Sequence, residues 1–195
     1  MKELLKTYVP QVILIVISVV LGILFSGIIE KRADRLKGEE IVTNLVKEIQ
    51  LNLKELEDWH PFHVSVKDKL DSIRKEKEFL KAFDKNSFEI YKIASERRTL
   101  MNARITDVAW ETAKLNPVIS EIPFSSLTVI SNVYAQQLST FQPLEQVEKI
   151  MTKPYYNSIE NSEENLRLVS ENLWELLGRE KQLIFMYREA LKALN

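Results

Sequence analysis

The chain contains no cysteine, only two histidines and only four glycines among its 195 residues. Without cysteine, neither a disulfide framework nor a thiolate metal site can form, and lipoprotein processing is excluded; either side of a membrane stays compatible. Gly22 and Gly27 lie in an apolar run near the N-terminus, which leaves Gly38 and Gly178 for everything else. Glycine-rich phosphate loops and dinucleotide fingerprints therefore cannot be assembled. An excess of one charge is missing too: 27 basic residues face 28 acidic ones, and setting aside Lys2, Lys6 and Glu3 leaves 25 against 27, evenly spread. A nucleic-acid surface needs a basic patch or stripe, so no nucleic-acid partner is expected.

What is present is a run from Thr7 to Ile29, twenty-three residues without a charged side chain and mostly Val, Ile or Leu. As a helix, Val9 to Ile29 spans roughly 31 Å, close to a bilayer core of ~30 Å. A signal peptide has a shorter apolar core of about 7–15 residues and a small-x-small exit. This run leaves through Phe25-Ser26-Gly27-Ile28-Ile29-Glu30-Lys31, so a retained anchor is expected. The chain then divides into an N-terminal tail and transmembrane anchor, 1–29, and a soluble helical domain, 30–195. Lys2 and Lys6 precede the span, while Lys31, Arg32, Arg35 and Lys37 follow it. That count places the large domain in the cytoplasm by the positive-inside rule. Within the span Ser18, Gly22 and Ser26 recur every fourth residue and share one face. Small residues at that spacing let two helices approach closely, which points to a homo-oligomer; the bland reading is a small-residue face turned to lipid without consequence.

Beyond the span, helical period dominates. Ile41, Leu45, Ile49, Leu53 and Leu56 form one apolar stripe, with Gly38 as the weak link to the span and Pro61 as the expected terminator. A second helix carries Val66, Leu70, Ile73, Leu80 and Phe83, followed by a turn at Asp84–Ser87 and a densely charged helical stretch, Phe88 to Arg104. Asp107 reads as the N-cap of a helix Val108 to Leu115, stopped by Asn116-Pro117. Pro123 opens a helix bearing Leu127, Ile130, Tyr134, Leu138 and Phe141, and Pro143 opens a short one to Thr152. After a connection at Pro154-Tyr155-Tyr156, the longest helix runs from Ile159 to Leu194. Its seam is Leu166, Val169, Leu173, Leu176, Glu180, Leu183, Tyr187 and Ala190, interrupted at Glu180 and widened by Leu177 and Ile184. Such a seam suits a coiled coil or a long antiparallel packing stripe. The expectation is all-α: one transmembrane helix leading into an antiparallel helical bundle with a long C-terminal helix.

Chemistry has few candidate positions. His60 and His63 sit in Glu57-Asp58-Trp59-His60-Pro61-Phe62-His63, where two imidazoles and two carboxylates could hold a divalent metal. The bland reading is a helix end whose histidines face solvent, since His-Pro-Phe-His does not read as helix. Trp110 is read as a core anchor, with Glu111 favouring its helix N-terminus. Ser125-Ser126 lacks the glycines of a nucleophile elbow, and Tyr155-Tyr156 reads as a packed loop before a ring-binding site. No catalytic residue, cofactor or metal is assigned.

The layout resembles a loosely defined set of uncharacterised bacterial proteins with one N-terminal membrane span and a helical domain. Three stretches carry the likeness: Glu48 to Leu53 after the span, similar to an E-x-x-x-N pattern; Trp59-His60-Pro61-Phe62-His63; and Asp107-Val108-Ala109-Trp110-Glu111-Thr112-Ala113 followed by Tyr134-Ala135-Gln136-Gln137, similar to A-W-E-T-A and Y-x-x-Q. The resemblance implies a single-pass protein of the bacterial inner membrane and implies no activity. His63, Trp110, Tyr134 and Gln137 would mark a shared feature, either a packing core or a site. The leading expectation is a non-catalytic scaffold that self-associates or recruits a protein partner. A sensory or ligand-binding domain comes second, and a metal-dependent enzyme using His60 and His63 third.

Overall fold

The computed structural model describes residues 2–76, 87–100, 105–152 and 161–194, the side chains of 2–12, 87–89 and 162 excepted. The chain folds as α1 (Lys2–Lys75), α2 (Ser87–Ala94), α3 (Val108–Lys114), a short 3-10 helix (Pro117–Glu121), α4 (Phe124–Thr140), α5 (Gln142–Met151) and α6 (Ser162–Leu194). No strand occurs among the described residues, and the chain is all-α. Leu80, Phe83, Asp84–Asn86 and Pro154-Tyr155-Tyr156 lie outside the described residues.

The first helix is a rod of 74 residues, about 110 Å long at the usual rise. Its N-terminal part is long and apolar enough to cross a membrane and has no share buried against the rest of the chain. Its C-terminal half is the backbone of the bundle, and the two parts are joined without a break at Gly38. Nor does Pro61 end the helix, contrary to the expectation from its ring. A proline in a helix interior costs ~3 kcal/mol because it removes one N–H and crowds the carbonyl four residues back. Here Glu57 and Pro61 are both exposed, so water reaches that carbonyl. Buried apolar contacts on either side, Leu56 before and Val66 and Leu70 after, offset the remaining cost, each such side chain contributing about 1.5–3 kcal/mol.

α6 lies antiparallel on α1. Arg188 meets Glu57, Glu180 meets His60 and His63, and Ser170 donates to Asp71, so numbers fall along one helix as they rise along the other. Every seam position from Leu166 to Ala190 is buried. The interior divides into two apolar clusters. The upper one gathers Val66, Leu70, Ile90, Leu144, Val147 and Leu173; the lower one gathers Leu45, Ile49, Leu56, Ile130, Leu183 and Tyr187. Phe141, at the turn between α4 and α5, packs against both. α4 begins at Phe124, one residue after Pro123, and Leu138 turns outward rather than into the core.

The charged stretch after Ser87 is helical only as far as Ala94. The Glu96 N–H donates to Ile93 O and the Arg97 N–H to Lys92 O, with φ of 53° at Glu96 and 59° at Arg97. This paired closure through a left-handed residue stops a helix and reverses the chain. It delivers Leu100 into the upper cluster.

Replacing Pro61 with Ala restores a donor for the Glu57 carbonyl. The thermal midpoint of the full chain in detergent, followed by far-ultraviolet circular dichroism, should rise by the equivalent of about 1–3 kcal/mol. A fall would show that the packing uses the ring itself.

Candidate functional site

Glu48 and Asn52 are four apart on α1 and therefore point the same way. Both reach the loop that precedes α3. Thr106 is held there by every polar atom it has. Its N–H donates to Asn52 Oδ1 (3.0 Å), its Oγ1 donates to Glu48 Oε2 (3.0 Å), and its carbonyl accepts from Asn52 Nδ2 (2.6 Å) and Gln137 Nε2 (3.1 Å). Tyr134 and Gln137, three apart on α4, close the cluster from the other side. The Tyr134 hydroxyl donates to Glu48 Oε1 at 2.6 Å, and Gln137 Oε1 accepts from the Tyr187 hydroxyl of α6 at 2.6 Å. α1 and α4 are thus tied to the loop at Thr106, and α6 joins them through Gln137.

Asp107 occupies the position before α3 but makes no capping hydrogen bond. Glu48 does that work from another helix, accepting from the Ala109 N–H at 2.9 Å. A carboxylate at a helix N-terminus is favoured by the free N–H groups and the dipole there. Burial pushes the Tyr134 phenol far above its ordinary range, and the hydrogen bond to Glu48 adds to the shift. Burial likewise raises Tyr187. Both phenols therefore stay protonated donors. Trp110 is half-buried and packs against the lower cluster, and its ring stacks on Tyr134 with centroids 5.6 Å apart and planes 7° apart. Beside the cluster lies a cavity of about 230 Å³ lined by Ile105, Asp107, Tyr134, Gln137, Phe141 and Glu145.

A second polar cluster sits between the two apolar ones. Glu180, read from sequence as an interruption of the seam, is fully buried between Leu176 and Leu183. His60 and His63 share a face of α1 because the helix continues through Pro61, and both turn inward rather than to solvent. His60 Nδ1 lies 2.7 Å from Glu180 Oε2, and His63 Nδ1 lies 2.5 Å from Glu180 Oε1. His63 Nε2 is 3.0 Å from the Leu100 carbonyl oxygen, which only accepts, so Nε2 carries a hydrogen. A hydrogen bond on the opposite side of that ring then needs one further hydrogen held between Nδ1 and Glu180. Trp59 and Phe62 pack edge to face beside His63, and the Arg98 guanidinium lies 4.1 Å above the Phe62 ring.

The residues singled out from sequence thus fall in two places. Trp110, Tyr134 and Gln137 come together at the Thr106 cluster, while His63 belongs with His60 and Glu180. His-Pro-Phe-His is helical, contrary to the expectation from its sequence, so helical geometry does not by itself separate the two histidines. Among the described residues, however, no group of three His, Asp or Glu side chains is arranged to hold a metal ion. Ser18, Gly22 and Ser26 lie on the exposed apolar segment, where a Cβ at Gly22 would meet nothing within 4 Å. Sequence reasoning missed Thr106 altogether, and the buried partner of the histidines was visible only as a charge inside an apolar seam. No protein-family model matches the chain, and no curated protein or solved structure matches it either.

Two predictions follow from these contacts. Glu180→Leu strands two inward-facing imidazoles and should cost about 3–5 kcal/mol in guanidinium unfolding of the full chain in mild detergent. Replacing His60, His63 and Glu180 together with Leu should recover most of that loss, leaving about 1–3 kcal/mol for the unpaired Leu100 carbonyl. A triple variant no better than the single one would show that the three do not act as a unit. Tyr134→Phe should cost about 1–3 kcal/mol by leaving Glu48 Oε1 unpaired. Because the folded-state phenols are raised, the native protein keeps this stability below the ordinary tyrosine value of about 10 and loses it as pH climbs further. Tyr134→Phe should flatten that alkaline loss, and an unchanged slope above pH 10 would contradict the assignment.

Proposed function

We propose that the chain is a single-span protein of the bacterial inner membrane whose helical domain is a non-catalytic scaffold. It works through self-association and contacts of its outer surface. The observation that carries this reading is the continuity of α1, which makes the membrane-length segment and the bundle backbone one rigid element. A domain built this way presents its faces at a set height and orientation. Its interior polar groups are engaged with one another: among the described residues, the only buried side-chain nitrogen or oxygen without a partner is Arg74 Nε. The basic residues after the span favour the cytoplasmic side for the domain. The resemblance to single-span bacterial proteins agrees with the one-span architecture.

The first partner in this reading is a second copy. The Ser18 hydroxyl is satisfied within its own helix, donating to Leu14 O at 2.8 Å, so Ser18, Gly22 and Ser26 offer a low and unencumbered face. Close packing of such faces is a common route to helix association in lipid. A second reading, a ligand-binding domain, is favoured by the cavity beside Tyr134 and Gln137. Asp107 and Glu145 line it, so a small organic cation is the chemistry it would take.

Gly22→Ile adds bulk at the centre of the face without lowering its apolarity. We expect insertion to be retained and crosslinked dimers of the full chain in native membranes to fall several-fold. A monomeric native chain in that assay overturns self-association. A saturable thermal shift with a small amine, abolished in Glu145→Gln, would move the weight to the ligand reading.

A further inference from the structure

The two most exposed large apolar side chains among the described residues are Leu115, at 87%, and Phe124, at 85%. They flank the 3-10 helix, and that helix is the lowest part of the bundle. A Cβ at Gly38 would touch Glu121, Ile122 and Val118, and Arg35, Gly38, Glu121, Ile122 and Pro123 line one groove of about 380 Å³. The lower end of the bundle therefore lies against α1 at Gly38, with Arg35 on the rim of the groove, so this level is residues 35 to 38. Those lie six to nine residues past Ile29, or roughly 9–14 Å along the rod. A headgroup layer occupies about 5–8 Å on each side of the hydrocarbon core. A tilt of ~20°, ordinary for a spanning helix, lowers a point ~10 Å off the axis by a further 3–4 Å or so. Leu36 on α1 is also exposed at this level.

We propose that Leu115 and Phe124 dock on the surface of the bilayer that α1 crosses, seating the floor of the bundle on the headgroup layer. The inference rests on the membrane-span reading of α1. An aromatic ring and a leucine at this depth are the side chains an interface accepts, being apolar but within reach of water. Charge does not drive the contact. Lys31, Arg32, Arg35 and Lys37 are matched by Glu30, Asp34, Glu39 and Glu40 on the same stretch. The attraction is apolar insertion and is indifferent to anionic lipid. Other exposed apolar residues stand clear of the membrane. Leu138 follows Gln137, which pairs with Asn52, fourteen residues beyond Gly38 and so roughly 21 Å higher. Trp174 lies near the far end, where Ser170 meets Asp71.

Because the chain has no cysteine, single positions can be labelled cleanly. The full chain carrying Leu115→Cys, Phe124→Cys, Leu138→Cys, Trp174→Cys or Leu21→Cys is labelled with an environment-sensitive fluorophore. Each is reconstituted in phosphatidylcholine vesicles containing nitroxide lipids, labelled either in the headgroup region or deep in the acyl chain. All the replaced side chains are exposed, and retention of the helical signal is checked for each variant. We expect the labels at 115 and 124 to be quenched several-fold more by shallow nitroxides than those at 138 and 174. The label at 21 should be quenched by deep ones. Substituting phosphatidylglycerol for part of the lipid should leave the pattern unchanged. Quenching at 21 with none at 115 and 124 leaves the span standing and overturns the docking. A blue-shifted label at 124 without lipid quenching also overturns it, since protein would then cover that face. No quenching at 21 removes the span itself, and the docking with it.

Discussion

A carboxylate with no exposure to water cannot be left without partners, and Glu180 is such a group. It lies at the centre of the longest contact in the molecule, the antiparallel packing of α6 on α1. Leu176 and Leu183 flank it on one helix, and Leu56 and Val66 flank His60 and His63 on the other. Sliding either helix by one turn would set Glu180 against an aliphatic side chain and the histidines against leucine. Apolar seams tolerate such a slip far better than a buried charge does. The register of the two long helices therefore hangs on this one polar layer. The remainder follows from it, because α2, α4 and α5 pack onto surfaces that this pair creates.

The layer also explains why the interior is two clusters rather than one. Below it, α4 completes the core with Ile130, Val133 and Tyr134; above it, α2 and α5 supply Ile90, Leu144 and Val147. The lower half needs a second constraint, since the segment before α3 has no apolar stripe of its own. Thr106 provides it, by binding two residues of α1 and one of α4 through its backbone and hydroxyl. Segments that cannot be held by burial are held here by hydrogen bonds that burial makes hard to break.

Much of this architecture was legible in the residues, and the parts that were not share a cause. The apolar run, the helical content and the buried positions of α6 are local periodicities, and each survives in the fold. Pro61 was misread because its local preference is overruled by Val66 and Leu70, whose partners lie on α6. Glu180 could only be scored as a break, since its meaning depends on histidines 117 and 120 positions away. Asp107 had the right residue type and place for a cap. A carboxylate from α1, 61 residues earlier than Ala109, took the role, and nothing in the local pattern announces that. Glu48 with Asn52, and Tyr134 with Gln137, do show helical spacing. Thr106, which Glu48, Asn52 and Gln137 share as a partner, lies in a loop where no period exists to be read.

The continuity of α1 gives the polar layer a consequence beyond stability. A helix without a hinge transmits rotation and tilt, and Gly38, the one residue of weak helix propensity at the junction, is buried beside the 3-10 helix, where an added Cβ would touch Val118 and Glu121. The orientation of the first turns after the apolar segment is therefore the orientation of the lower bundle. Because Glu180 locks α6 to the same rod, the upper bundle turns with it. A contact made at the low end, whether between two spans or against a surface, is then expressed at the far end through rigid helices rather than through a change of fold. With the interior polar groups of the described residues spent on holding the register of the helices, the outer faces are the surfaces left for further contacts.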